Sequence, residues 1–378
     1  MLKGFDPTAA ATAFLITAVL LWLLQPVASR FGLLDRPSGR KDHAVPTPVI
    51  GGLGILIGCL TAFFVVQADG PGMLAFCTAS VMLVAVGLYD DLYDLRWYWR
   101  IFVQAAAAVV IVRWGGVQVG QLGSVFGVES FSLGWFSLPA TVFVTVGVIN
   151  AMNMIDGIDG LAGMLGLAAL LLLTIVAIDA GNAQLAARTS VLCGALAGFL
   201  FWNLRLPWRE RAKVFLGDAG SGLLGLVIIW VSLRLTQNPQ YPVNPVLALW
   251  LLPIPVMDCL VLIVRRLQER RSPFAADRDH IHHLMCEAGF GPTRAALTLM
   301  FFSVACGLIV MLSLHVGIPG VVLLALYLAM CVGWYALTRR KQRAIAFFRA
   351  LRGKASGQRI DEEDALAIPV SEDSDGTP

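Results

Sequence analysis

Uninterrupted apolar runs recur along the chain, each of about 17–25 residues and so long enough to cross a hydrocarbon layer of about 30 Å as a helix. In a chain of 378 residues there are eleven, at approximately 8–27, 49–68, 73–90, 98–115, 136–151, 161–179, 185–203, 214–233, 244–264, 296–314 and 318–337. Backbone groups in lipid find no water, so each run must close its hydrogen bonds within itself. A β-barrel would show short alternating segments instead. Only 14% of the residues are charged and 57% are hydrophobic, whereas a soluble domain carries about a quarter charged. The expected fold is an all-α, polytopic integral membrane protein. Its fifth span is short, and a polar stretch begins inside it.

Basic residues set the orientation. Segments 28–48, 91–100, 204–213, 265–295 and 338–378 hold 24 of the 28 Lys/Arg, and only Lys3, Arg113, Arg188 and Arg234 fall on the other side. This split predicts an outside N-terminus and a cytoplasmic C-terminus. Arg30, Arg36, Arg40 and Lys41 follow the first run immediately, which favours a retained N-out helix over a cleaved signal peptide. Among seven cysteines no CxxC pair occurs, so neither a disulfide frame nor a thiolate metal site is expected. Residues 1–340 read as one integral domain and 341–378 as a cytoplasmic tail, basic and then acidic. The basic start suits anionic headgroups, and the end, EEDALAIPVSEDSDGTP, reads as disordered. Residues 116–135 alternate polar and apolar and predict a short outer hairpin.

The acidic residues are just as asymmetric. Outside lie only Asp6, Asp69, Glu129 and Asp179, while the others, the tail apart, collect at or below the inner face. In VGLYDDLYDL (86–95), a helical continuation would stack Asp90, Asp91 and Asp94 within one turn. Such repulsion calls for a divalent cation or for basic groups; Arg96 and Arg100 could tether a merely solvated helix end. In GVINAMNMIDGIDGLAGM (147–164), a helix would align Asn150, Asn153 and Asp156. The glycines then open a turn presenting Asp156 and Asp159. In AKVFLGDAGSGLLG (212–225), Asp218 stands among glycines where a span begins. Free N–H groups at such a start suit phosphate, and the carboxylate suits a metal; a capping Asp is the alternative.

RRSPFAADRDHIHHLM (270–285) packs His280, His282 and His283, three of five histidines, next to Arg278. It is no HExxH zinc site; these imidazoles suit hydrogen bonding or charge donation to phosphates. Asp258 reads as an intramembrane carboxylate, functional by default or else part of a buried pair. Asn203 ends a span as a ligand contact or a cap, and His43 ranks below it. Together these segments describe an inner-face surface that binds a polyanion through Mg²⁺ or Mn²⁺, since oxygen ligands select hard ions.

At DDLYD (90–94), NAMNMIDGIDGL (150–161), FLGDAGS (215–221) and SPFAADRDHIHHL (272–284) the chain resembles the polyprenyl-phosphate N-acetylhexosamine-1-phosphate transferases. The DRDHIHH form and the RKDHAVPTPVIGG loop are similar to the bacterial branch that uses UDP-GlcNAc and undecaprenyl phosphate. The resemblance implies transfer of GlcNAc-1-phosphate to the lipid with release of UMP, at the cytoplasmic face of the bacterial inner membrane. That step would open synthesis of a lipid-linked glycan such as O-antigen. It also implies Asp218 as a Mg²⁺ ligand, and Asp90 and Asp91 at the acceptor phosphate, with roles for the pair in metal binding and catalysis. Asn150, Asn153, Asp156 and Asp159 would hold the nucleotide sugar, with Asn203 nearby. His280, His282, His283 and Arg278 would contact the diphosphate. GalNAc, FucNAc-type, QuiNAc-type and MurNAc-pentapeptide donors are alternatives, and a homodimer in the bilayer is left open. No nucleic-acid partner is expected. A cation-coupled transporter would need midplane sites on repeated halves, and no halves repeat; a non-catalytic scaffold is the remaining rival.

Overall fold

The computed structural model describes residues 4–35, 46–65, 72–123, 131–241, 243–273 and 278–355. Among them the chain forms α1 Pro7–Phe31, α2 Gly51–Val65, α3 Met73–Tyr93, α4 Trp97–Arg113, α5 Ser137–Ile155, α6 Leu161–Asp179 and α7 Ala183–Asn203. There follow α8 Gly217–Thr236, α9 Val246–Leu251, α10 Pro253–Gln268, α11 Ile281–Glu287, α12 Pro292–His315, α13 Gly320–Thr338 and α14 Lys341–Ala355. Two residues each, β1 Leu34–Asp35 and β2 Thr47–Pro48, make one antiparallel pair. The protein is an all-α, polytopic membrane protein, with eight of the described helices long and apolar enough to cross a bilayer.

Every run read from the sequence falls on helix, with two refinements. The run 244–264 is broken at Leu252 into α9 and α10. Pro253 and Pro255 lack the N–H groups that would continue the hydrogen-bond ladder across the break. The fifth span runs on to Ile155, carrying Asn150 and Asn153 inside a regular helix.

α8 is the central helix. Its apolar window is 89% buried, against 22% for α1 and α13 at the rim. It is hydrophobic on all sides, as a helix surrounded by protein should be. It packs against α3, α5 and α2, while α1 lies along α7. Small residues set these distances: a Cβ on Gly225 would stand 2.6 Å from the Ile149 Cα of α5, and lipid-embedded helices rely on such close approach for their packing.

Between α4 and α5, Gln121 and Ser132 form an antiparallel bridge where the hairpin was expected. Gln237 holds it: its Oε1 accepts from the N–H groups of Gly120 and Gln121, both at 3.0 Å. The basic start of the tail is helical, since Ala344, Ile345 and Phe348 of α14 are buried and the helix packs on α11 and α13. The acidic end of the tail and His43 lie outside the described residues. All seven cysteines are free.

Candidate active site

Three helix ends meet at one end of the bundle: the close of α3, the close of α5 and the start of α8. Glycines let them touch. A Cβ on Gly87 of α3 would collide with the Ala219 backbone, and one on Gly52 of α2 with the Gly220 backbone. The TPVIGG stretch is tied to the same place, Gly51 N–H donating to Phe215 O at 3.0 Å and Gly52 N–H to Leu216 O at 3.1 Å. These contacts fix where Asp218 enters α8.

The DDLYD segment does not stack its three carboxylates. α3 ends at Tyr93, and Asp94 turns into the left-handed region (φ 51°), its N–H donating to Asp90 O. Asp90, 5% exposed, accepts from Leu95 N–H at 2.7 Å and from Arg100 at 3.0 Å. Asp91 points the other way and accepts from Asp218 N–H (3.0 Å) and Ala219 N–H (3.4 Å). The N–H groups expected to be open to phosphate at the start of α8 are thus partly taken: Asp91 caps the helix, as a carboxylate at a positive helix end should. Arg100 meets one of the two neighbouring acids and the backbone of α8 the other. Arg100 also lies 3.7 Å from Asp218 Oδ2.

From α5, the Asn153 side chain donates to Asp218 Oδ1 and, at 3.0 Å, to Ser221 Oγ. One turn back, Asn150 donates to Gln104 Oε1 of α4 at 2.7 Å. Asn150 and Asn153 of the expected stripe face a pocket lined by Asp90, Arg100, Gln104 and Asp218 as well, while Asp156, its third member, falls just past the end of the helix. Asp156 caps the end of α5, and no donor reaches its carboxylate among the described residues. Burial, then the charges of Asp218, Asp91 and Asp159, raise its pKa from 3.8 to about 8. Four carboxylates from α3, α5 and α8 therefore share one field.

Asp159 and Asn203 are spent differently. Asp159 pairs with Arg205 at 2.7 Å and accepts from Ala212 N–H at 3.3 Å. Asn203, 5% exposed, accepts from Gly160 N–H at 2.8 Å and donates to Val214 O at 2.9 Å. Both lock the DGIDG turn to the α7–α8 connection. They hold the turn in place, and their polar atoms are already committed to protein.

The histidine segment arrives from α11. His282 is fully buried against Gly157 of that turn, where an added Cβ would collide with its Nε2. Neither of its ring nitrogens has a hydrogen-bond partner among the described residues. Burial, then His283 and His280, hold its pKa well below the ordinary 6.5. Its burial favours the neutral ring, and of the two roles considered for it hydrogen bonding is the one its surroundings favour. His283 lies 4.2 Å from it, ring to ring, and His280 stacks at 5.7 Å. Arg278 is exposed at the head of the segment.

Gln104 and Arg205 carry parts of this site that no motif flagged, while Ser221 closes the FLGDAGS motif without having been singled out as a contact. A single glutamine amid the alanines of α4 was the readable signal for Gln104; Arg205 had none beyond its neighbours.

A cluster of acids and amides where helix ends meet in an apolar bundle is the architecture of a membrane enzyme. The family described as Glycosyl transferase family 4 matches residues 73–236, from α3 to the end of α8. The undecaprenyl-phosphate α-N-acetylglucosaminyl 1-phosphate transferase of Yersinia pestis is 36% identical over 344 residues, covering 90% of this chain and 93% of that protein. The protein of the same name from Haemophilus influenzae is 37% identical over 325 residues (86% and 89%), and that of Salmonella typhi 34% over 347 (92% and 94%). The chain belongs to this family of undecaprenyl-phosphate α-N-acetylglucosaminyl 1-phosphate transferases, as its motifs implied.

Proposed function

We propose that the protein transfers GlcNAc-1-phosphate from UDP-GlcNAc to undecaprenyl phosphate, giving GlcNAc-pyrophosphoryl-undecaprenol and UMP, and so begins a lipid-linked envelope glycan. One observation carries this reading: Asp90, Arg100, Asn153 and Asp218, from four different helices, line one pocket, with Asp91 bonded to the backbone at the start of α8 and Asp156 within the field of Asp218. The basic-residue split puts that edge on the cytoplasmic side of a bacterial inner membrane, where nucleotide sugars are made. Counted as eleven crossings, with α9 and α10 taken as one, the chain would begin outside and its tail would lie inside; eight of the described helices are long and apolar enough to cross by themselves.

Among the described residues no three acidic, His or Cys side chains stand ready to close a metal shell by themselves. This fits Mg²⁺, which takes one or two carboxylates and completes its octahedron with water and substrate phosphates. Asp218 and Asp156 are the residues that would hold it, with Asp90 and Asp91 beside them. When bound, the ion neutralises the diphosphate and stabilises UMP as it leaves. The residues do the rest. An acceptor phosphate oxygen attacks the β-phosphorus, a new P–O bond forms, and the old pyrophosphate bond breaks toward UMP. Arg100 supplies the positive charge at the meeting point. Asn150 and Asn153 orient the donor, and His282 offers a neutral ring with His283 beside it.

The test is purified protein with UDP-GlcNAc, undecaprenyl phosphate and Mg²⁺, with UMP and lipid product separated by chromatography. Absence of both products removes the reading. A competition panel of GalNAc, FucNAc and QuiNAc donors fixes the sugar.

A further inference from the structure

Asp258 is 1% exposed in α10, and its carboxylate gathers donors from two other helices. His280 Nδ1 lies 2.9 Å from Oδ2. Ile281 N–H, at the first residue of α11, donates to both oxygens at 3.3 and 3.4 Å. Trp334 Nε1–H of α13 donates to Oδ1 at 3.1 Å. His280 and Trp334 are themselves 7% and 8% exposed. A buried carboxylate is costly unless several donors satisfy it. Here the donors come from the very segment that carries the histidines.

We propose that Asp258 is the positioning residue of the histidine segment: it fixes the start of α11 and holds the His280 proton on Nδ1, presenting Nε2 as the functional nitrogen. Which ring nitrogen faces outward is set by the bond that the other makes. The His280 ring stacks within 15° of parallel on His282, and His282 rests on Gly157. A shift at Asp258 therefore travels through two rings to the turn that presents Asp156. Trp334 braces the far oxygen. The argument rests on the transferase reading for its kinetic arm alone.

The experiment uses full-length protein in nanodiscs. Asp258→Asn keeps the shape but disturbs the acceptor. The expected loss in kcat/KM is about 10–100-fold, the scale on which such orienting partners act. In a double-mutant cycle the loss should vanish when His280→Ala is already present. Trp334→Phe, which removes one donor and leaves the carboxylate, should lose several-fold with the same dependence on His280. A loss by Asp258→Asn or Trp334→Phe that persists undiminished in the His280→Ala background overturns the proposal. A second readout is independent of turnover: ¹⁵N-histidine NMR, with His280 assigned by His280→Gln among the five histidines. Nδ1 should be protonated in the wild type and change in Asp258→Asn; an Nε2-protonated ring in the wild type overturns the proposal. Wild-type protein that makes no UMP or lipid product sinks the transferase reading, and the NMR arm still decides Asp258.

Discussion

The carboxylate pocket and the histidine segment are both polar and both sit at the ends of apolar helices, yet they are built on opposite terms. Around Asp258 every oxygen has a donor and the group is buried. Around Asp156 no donor is in place among the described residues, and burial followed by neighbouring carboxylates raises its pKa to about 8. Among the described residues Asp218, with side chain 34% exposed, meets Asn153 and a more distant Arg100. A satisfied carboxylate holds structure; an unsatisfied one among like charges stores the electrostatic demand that a cationic or phosphate-bearing ligand meets.

Asp218→Asn is the largest break in that contrast. Turnover should fall on the order of 10²–10³-fold, as for loss of one preorganised electrostatic group, with thermal stability kept. Asp258→Asn should reverse the balance, costing stability as well as rate. Equal melting temperatures for the two variants would erase the distinction.

Gly157→Ala comes next, because its methyl would drive into the buried His282 ring. Displacement of a site element by about 1 Å can cost 10²-fold, read as a rise in donor KM. Unchanged kinetics would separate the histidines from the pocket.

Asp156 then gives a pH test. Folded, it keeps its proton to about pH 8, against 3.8 for an unperturbed group. The folded state binds the extra proton, so stability falls as pH rises through this window and levels off above it. In metal-free buffer Asp156→Asn should therefore melt a few degrees higher than wild type near pH 8, with the gap closing near pH 4. A wild type whose stability is flat across this range would mean that the pocket is not charge-strained.

The smallest effect belongs to Lys341, bridging Glu287 at 2.7 Å and Asp279 at 3.6 Å on a partly exposed surface. Lys341→Ala should cost under about 1 kcal/mol, measured by thermal melts, with turnover nearly unchanged.

Much of this was readable before any fold was seen. Each apolar run is helical, and the stripe of Asn150 and Asn153 faces the site because a helix repeats every 3.6 residues. What pattern could not tell was how each carboxylate spends its oxygens. Asp91 looks like Asp90 in sequence but caps α8. Asp159 looks like Asp156 but pairs with Arg205 forty-six positions on. Asp94 leaves the cluster because one residue takes a left-handed turn. Gln104 and Arg205 belong to no motif, and only packing brings them in.

The chain by itself determined its medium, its helices and the clustering of acids on one face, because hydrophobic length and local periodicity are properties of consecutive residues. Tertiary structure alone decided which acid is satisfied and which is exposed to repulsion. That depends on donors tens to more than a hundred residues away, such as the α8 backbone at Asp91 and Trp334 at Asp258. Hydrogen bonds are short-ranged, so only the folded contacts could assign them.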